Sequence, residues 1–256
     1  MPRRAMLRLI RNELVQTVRR PSFAAFFFLL SMLMLFQMSL QTQGYPLSNP
    51  IKSLIPASLV YSNFISALYI AYLASSSVAK EYEEHTMNIL LTVPMRRSEV
   101  YMGKMAALAC IVPMIMAFDS VYILSLSASF GALPDVELAL APYELAVSAL
   151  FFLSVIALTM LLAVGLRSSS FVLIFMTIFL FLSAFLGLPV LATGRYAYSL
   201  SYISVFFMPA SVMVSAFRIT ETYCMIDWAL PALQLLFIAA VTAAGTWLFR
   251  RSDVWG

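Results

Sequence analysis

The sequence predicts an all-α integral membrane protein with six transmembrane helices, and three observations lead there. Of its 256 residues, 62% are hydrophobic and only 11% are charged. An ordinary soluble domain has about 25% charged residues and could not hide that much apolar surface from water. The apolar residues also gather in runs of span length. Backbone groups in lipid must bond within their own segment, so each run is expected to be a helix. Finally, with six spans, thirteen of the sixteen basic residues fall on one side of the membrane; Lys52, Arg195 and Arg218 are left on the other. Excess Lys and Arg mark the cytoplasmic side, which places both termini there.

The first element precedes the spans. Residues 2–20 begin PRRAMLRLIRNELVQTVRR, with Met6, Leu7, Ile10, Leu14, Val15 and Val18 recurring at three- and four-residue spacing. Arg3, Arg4, Arg8, Arg11 and Arg19 lie mostly on the opposite side. That pattern predicts an amphipathic helix along the inner membrane surface, held by apolar burial and anionic headgroups. Pro21 marks its turn into the first span. No small-residue cleavage site follows that span, so no removable signal peptide is expected.

The spans are placed at Ser22–Leu40, Ile55–Ala79, Met105–Phe130, Glu144–Leu166, Phe171–Val190 and Trp228–Phe249. At ~1.5 Å per residue each can cross a hydrocarbon core of ~30 Å. Gly44, Pro46 and Pro50 punctuate the first connection, Gly131 and Pro134 the third, and RSSS at 167–170 the fourth. Residues 191–227 contain a further apolar stretch, Ser199–Phe217, rich in Ser and Tyr and broken by Pro209. A seventh span there would put Arg250 and Arg251 outside, against the charge rule. The expectation is a re-entrant segment in the outer interface.

Catalytic chemistry finds little material. His85 is the one histidine, so neither a His-rich metal site nor an HExxH pair can form. There is no GxSxG elbow. Gly103–Lys104 is followed by Met105 and lacks the upstream glycine of a phosphate loop, so the chain has no recognisable ATP site. Cys110 and Cys224 read as apolar fillers, and the scattered methionines as packing. Membrane topology accounts for the basic balance without nucleic acid. Asp119 lies roughly 21 Å into the third span at ~1.5 Å per residue. An ionised carboxylate facing lipid there costs at least ~2.5–3.5 kcal/mol, so it should face protein or a wet cavity. Two roles stay open: a polar group in a transport path, or a hydrogen bond between helices.

Residues 80–104 depart from their surroundings. With Ala79 they read AKEYEEHTMNILLTVPMRRSEVYMGK, and they hold eight of the chain's 28 charged residues. Lys80, Glu81, Glu83 and Glu84 crowd the end of the second span. Thr86 can cap a short helix with a Met87, Leu90, Leu91 stripe, which Pro94 ends. Ser98 can cap the next helix, with Glu99 in its first turn, before Gly103–Lys104 opens the third span. Caps, a stripe and a proline stop predict two rigid pieces onto which something docks.

These residues resemble the signature of ABC-2 type transporter permeases: Glu81, Glu83/Glu84, Thr86, Leu90–Leu91, Pro94, Arg97 and Gly103–Lys104, in that order. The pattern departs at His85, where the family commonly has glycine, and at Asn88, where it often has glutamate. The wider arrangement is similar as well, from the N-terminal surface helix to the LFRRSDV ending. The resemblance implies that 80–104 is a coupling helix seated in a groove of a separate ATPase. Glu81, Glu83, Glu84, Thr86, Met87, Leu90, Leu91, Pro94, Arg97, Gly103 and Lys104 would then serve the coupling. It further implies two permease subunits, identical or paralogous, with two copies of an ABC ATPase that bind ATP and Mg. The chain itself would hold no cofactor or metal and have no catalytic residue, and would export its substrate across the cell membrane. An integral-membrane lipid-modifying enzyme is an alternative, for which Glu83–Glu84 lack catalytic partners; a non-transporting scaffold or sensor is another.

Overall fold

Backbone groups that must satisfy one another within a segment leave helix as the open choice, and every regular element among the described residues is helical. The computed structural model describes residues 2–44, 50–84, 96–129, 141–192 and 229–251. They form α1 (Pro2–Arg19), α2 (Pro21–Gly44), α3 (Pro50–Glu83), α4 (Arg97–Ala109), α5 (Val112–Ser129), α6 (Ala141–Leu166), α7 (Ser169–Ala192) and α8 (Ala229–Arg251). Among the described residues, three helical stretches are long and apolar enough to cross a membrane: Arg97–Tyr122, Leu145–Leu166 and Pro231–Arg251. Pro21–Leu33 and Ser169–Leu182 are shorter apolar stretches.

Several boundaries differ from the sequence reading for local reasons. The run expected to form a third span falls on two helices, because a turn at Cys110–Ile111 separates α4 from α5. Pro113 is the cause: it has no N–H to donate and its ring crowds the carbonyl four residues back. Ile111 N instead bonds Leu108 O at 3.0 Å, a tighter turn. Pro50, expected as a breaker, is the first residue of α3, where a missing N–H costs nothing. Helix α4 starts one residue before the expected Ser98 cap. Glu99 reaches back to accept the Arg96 N–H at 3.0 Å, so the carboxylate three residues in supplies the cap. Thr86, Met87, Leu90, Leu91, Pro94 and the 199–217 segment lie outside the described residues.

Helix α6 is apolar all round, which suits the centre of a bundle. Phe151, Phe152, Ile156 and Met160 are fully buried, and α3, α7 and α8 pack around them. Aromatic pairs join the periphery: Phe26 stacks on Tyr69 at 4.1 Å between α2 and α3, and Phe27 meets Phe118 at 4.9 Å between α2 and α5. The outer faces are apolar too. Phe171, Ile174, Phe175, Ile178, Phe181 and Leu182 lie exposed along α7, a patch that water does not tolerate and hydrocarbon does.

Helix α1 lies against α4, and Arg20, at the bend into α2, donates to Ser76 Oγ of α3 at 3.4 Å. The predicted apolar stripe of α1 is divided. Met6, Leu9, Ile10, Glu13, Leu14 and Thr17 are at least partly covered, whereas Leu7, Val15 and Val18 are exposed. Leu9 was absent from the predicted stripe because its partner is a glycine far away in sequence, described next.

Candidate functional site

Helix α3 ends, and α4 begins, on either side of residues 85–95, and among the described residues the polar contacts concentrate at these two ends. Lys104 is 1% exposed. Its ammonium donates to Glu13 Oε1 at 2.8 Å, Glu81 Oε1 at 2.6 Å and the Ser77 carbonyl at 2.9 Å. An ammonium has three donors, and all three are used. Ser77 and Glu81 are one turn apart and share a face of α3. Glu13 arrives from α1, which comes close because the neighbour of Lys104 is Gly103: a Cβ there would stand 2.9 Å from Leu9 Cδ2. The Gly-Lys pair thus has two parts, one admitting α1 and the other binding it. Burial pushes the Glu81 carboxyl above its ordinary range, with Lys104 opposing.

The last turn of α3 reaches three different neighbours, since successive side chains point ~100° apart. Glu81 faces α1 and α4 through Lys104. The Tyr82 ring lies 6.4 Å from Phe249 of α8 and under the Arg167 guanidinium at 5.6 Å. Arg167 holds φ 53, the left-handed backbone that closes the two-residue turn between α6 and α7. Glu83 accepts both the Ser169 N–H and the Ser169 hydroxyl at 2.8 Å. It caps α7 from outside, where the helix has no partners of its own. These bonds hold the Glu83 carboxyl below its ordinary range, the Ser169 hydroxyl first and its N–H second.

A test of the cap follows. Glu83→Ala should cost roughly 0.5–1 kcal/mol, at the low end for a cap because the site is exposed, and speed amide exchange at Ser169. Because the folded pKa is lowered, the contribution is present above the ordinary carboxylate pKa and lost as pH falls through the lowered one. The stability gap between Glu83→Ala and wild type should therefore close in acid. Equal exchange at Ser169 in both proteins would refute the cap.

The remaining expected site residues are less engaged. Glu84 pairs with Lys80 at 3.4 Å, both exposed, which contributes little. Arg97 is the first residue of α4. Asp119 is buried between α5 and α3 and accepts the Ser62 hydroxyl at 2.7 Å. Arg3 and Arg4 lie in the first turn of α1, and Arg8, Arg11 and Arg19 are exposed further along. Among the described residues no three His, Cys, Asp or Glu side chains converge as a metal set. Glu13 and Ser169 escaped sequence reasoning. Only Glu13 left a clue, as the single acid in a basic helix.

A protein-family model described as ABC-2 family transporter protein matches residues 9–187. The chain belongs to the ABC-2 transporter family. The matched region contains every member of the Lys104 cluster, the Glu83–Ser169 cap and the Ser62–Asp119 bond; α8 lies beyond it. Among curated proteins the chain finds no match. As a family member it is a membrane component of a transporter, and such components normally work with an ABC ATPase. The conspicuous Glu81, Glu83 and Lys104 of this ABC-2 transporter chain are bound to its own helices.

Proposed function

We propose that this ABC-2 transporter chain is the permease subunit of an ATP-driven exporter, crossing the cell membrane six times with both termini in the cytoplasm. Two such chains, identical or paralogous, pair with two ABC ATPase subunits that bind ATP and Mg and seat on residues 80–104. Closure of the ATPases pushes on the insert, and the spans alternate the access of a central cavity. ATP can bias the two states only if they differ in fit to the ATPase pair.

The observation carrying this reading is the anchoring on both flanks of residues 85–95. On one side Glu81, Tyr82 and Glu83 fix the end of α3; on the other Lys104 fixes α4. A slack connection would dissipate a push, whereas an anchored one passes it to α1, α7 and α8. Glu81, Glu83, Gly103 and Lys104 therefore serve coupling as the mount of the insert. Thr86, Met87, Leu90, Leu91, Pro94 and the exposed Glu84 are the residues assigned to the ATPase groove. Asp119, enclosed and bonded to Ser62, is assigned to holding α5 on α3 rather than to touching substrate.

The test is Leu90→Asp in the complex with an ABC ATPase that co-purifies with the chain. Co-purification should weaken. Transport per ATP hydrolysed should fall on the order of tenfold, a typical coupling free energy. An unchanged ratio with an intact complex would refute the ATPase-coupling role.

A further inference from the structure

Hydroxyls along the apolar helices mostly satisfy themselves within their own helix. Ser31, Ser120, Ser154 and Thr159 each donate to the carbonyl four residues back, at 2.7–2.8 Å. Ser66 does not take that route. It is 0% exposed in α3, and its hydroxyl has no hydrogen-bond partner among the described residues. Asn63, three residues earlier and 6% exposed, likewise has its amide nitrogen Nδ2 unpaired among them. An unmet buried donor carries its full desolvation penalty, and two side by side call for a shared partner.

Helix α3 sets both groups beside a charge. Ser62 donates to Asp119 Oδ1 of α5 at 2.7 Å. At ~100° per residue Ser66 points ~40° from Ser62, one turn along, and Asn63 points ~60° further round. Tyr69, on the other flank of Ser62, stacks on Phe26 of α2. Phe64, on the opposite side of α3, meets Phe181 of α7. The remaining flank, toward which Asn63 and Ser66 turn, belongs to α6. Asp119 is itself buried, and beyond the Ser62 bond a carboxylate can accept about three more. An occupant of this wedge must accept from an amide N–H and donate to a carboxylate. A metal cation suits the carboxylate but not the N–H, and an anion the reverse. Water does both.

We propose that Asn63, Ser66 and Asp119 bind an ordered water in the wedge between α3, α5 and α6. Asp119 then holds α3 through two hydroxyls a turn apart, Ser62 directly and Ser66 through the water. Three polar partners are what a buried water typically has. The inference rests on the reading that α3 and α5 stand in the membrane, where bulk water reaches neither donor. A carboxylate that would be costly in hydrocarbon is thereby hydrated in place.

The sign of one substitution tests it. Removing a buried hydroxyl that has no partner is neutral or stabilising, whereas removing one that holds a water leaves the water and its other partners short of a bond. Ser66→Ala in the purified full-length chain should therefore lower the unfolding temperature by roughly 2–4 °C at a fixed scan rate. Infrared difference spectra between ordinary and heavy-oxygen water supply the second readout. Wild type should show a sharp O–H stretch that moves with the oxygen isotope, which a side-chain hydroxyl cannot do, and Ser66→Ala should lose it. A Ser66→Ala protein as stable as wild type, or more so, overturns the water. An isotope-shifted band that survives Ser66→Ala overturns its placement. Stabilisation by sodium over choline chloride at equal ionic strength, lost in Ser66→Ala, overturns water in favour of a bound cation. Release of the chain from membranes by alkaline carbonate would instead sink the spanning reading.

Discussion

Lys104→Met is expected to lower the unfolding temperature of the purified chain by roughly 6–12 °C, compared at one scan rate. The reason is charge balance. The lysine ammonium stands between Glu13 and Glu81 at 2.8 and 2.6 Å, and both carboxylates are 20% exposed. Removing one partner of a buried pair leaves uncompensated charge and costs about 3–5 kcal/mol; the residual exposure favours the low end. Removing all the charge behaves differently, because a well-packed neutral replacement of a buried ion cluster is often neutral or stabilising. The triple variant Glu13→Gln/Glu81→Gln/Lys104→Met should therefore recover most of the loss. A triple variant as unstable as the single one would show that the lysine acts through packing instead.

The same site gives a pH signature. Burial already raises the Glu81 carboxyl, and Lys104 opposes the rise. Without the lysine the rise is larger. A carboxyl whose folded pKa is raised contributes stability that is present below its unfolded pKa and lost as pH rises through the folded one. Lys104→Met should thus be most stable in mild acid and lose stability toward neutrality. Wild type should change less over the same window.

Gly245→Ala should be the other severe change, against the usual direction for a helix. Alanine in place of glycine in a helix interior ordinarily gains about 0.5–1 kcal/mol. Here the added Cβ would overlap the Tyr101 hydroxyl and stand 2.8 Å from its Cζ. Tyr101 is fully buried, with its ring 5.7 Å from that of Phe249, so it has little room to retreat. Overpacking of this kind costs about 1–3 kcal/mol or more, and the clash wins. Gly103→Ala should be milder, since its neighbour is the flexible tip of Leu9. The Tyr101 hydroxyl is buried with no hydrogen-bond partner among the described residues. Tyr101→Phe should then be neutral or stabilising, and should partly rescue Gly245→Ala. Thermal unfolding of wild type and these four variants checks this. A Gly245→Ala protein as stable as wild type would disprove the close approach.

The helical class and the ends of most apolar segments were legible in the sequence, because length, composition and proline chemistry act within a few residues. Even there one local rule cuts across hydropathy: Pro113 divides the third apolar run into α4 and α5. The family was legible in the Glu81–Lys104 stretch, whose order resembles a family signature, and the family match agrees. What each of its side chains touches was not. Glu83 looked like an acid awaiting a partner protein and caps α7, 86 positions away. Lys104 looked like the start of a span and binds a carboxylate 91 positions earlier.

The sequence alone thus determined that apolar helices form, where charge interrupts them and which transporter family they belong to. These follow from burial, backbone self-satisfaction and residue order, which neighbours along the chain express. Tertiary structure decided which charges are used up inside the molecule and which face outward. Glu13 is the clearest case. Along the chain it is one acid in a basic helix, and only the approach of α1 to Gly103 brings it onto Lys104. That pairing leaves the exposed arginines of α1 unopposed.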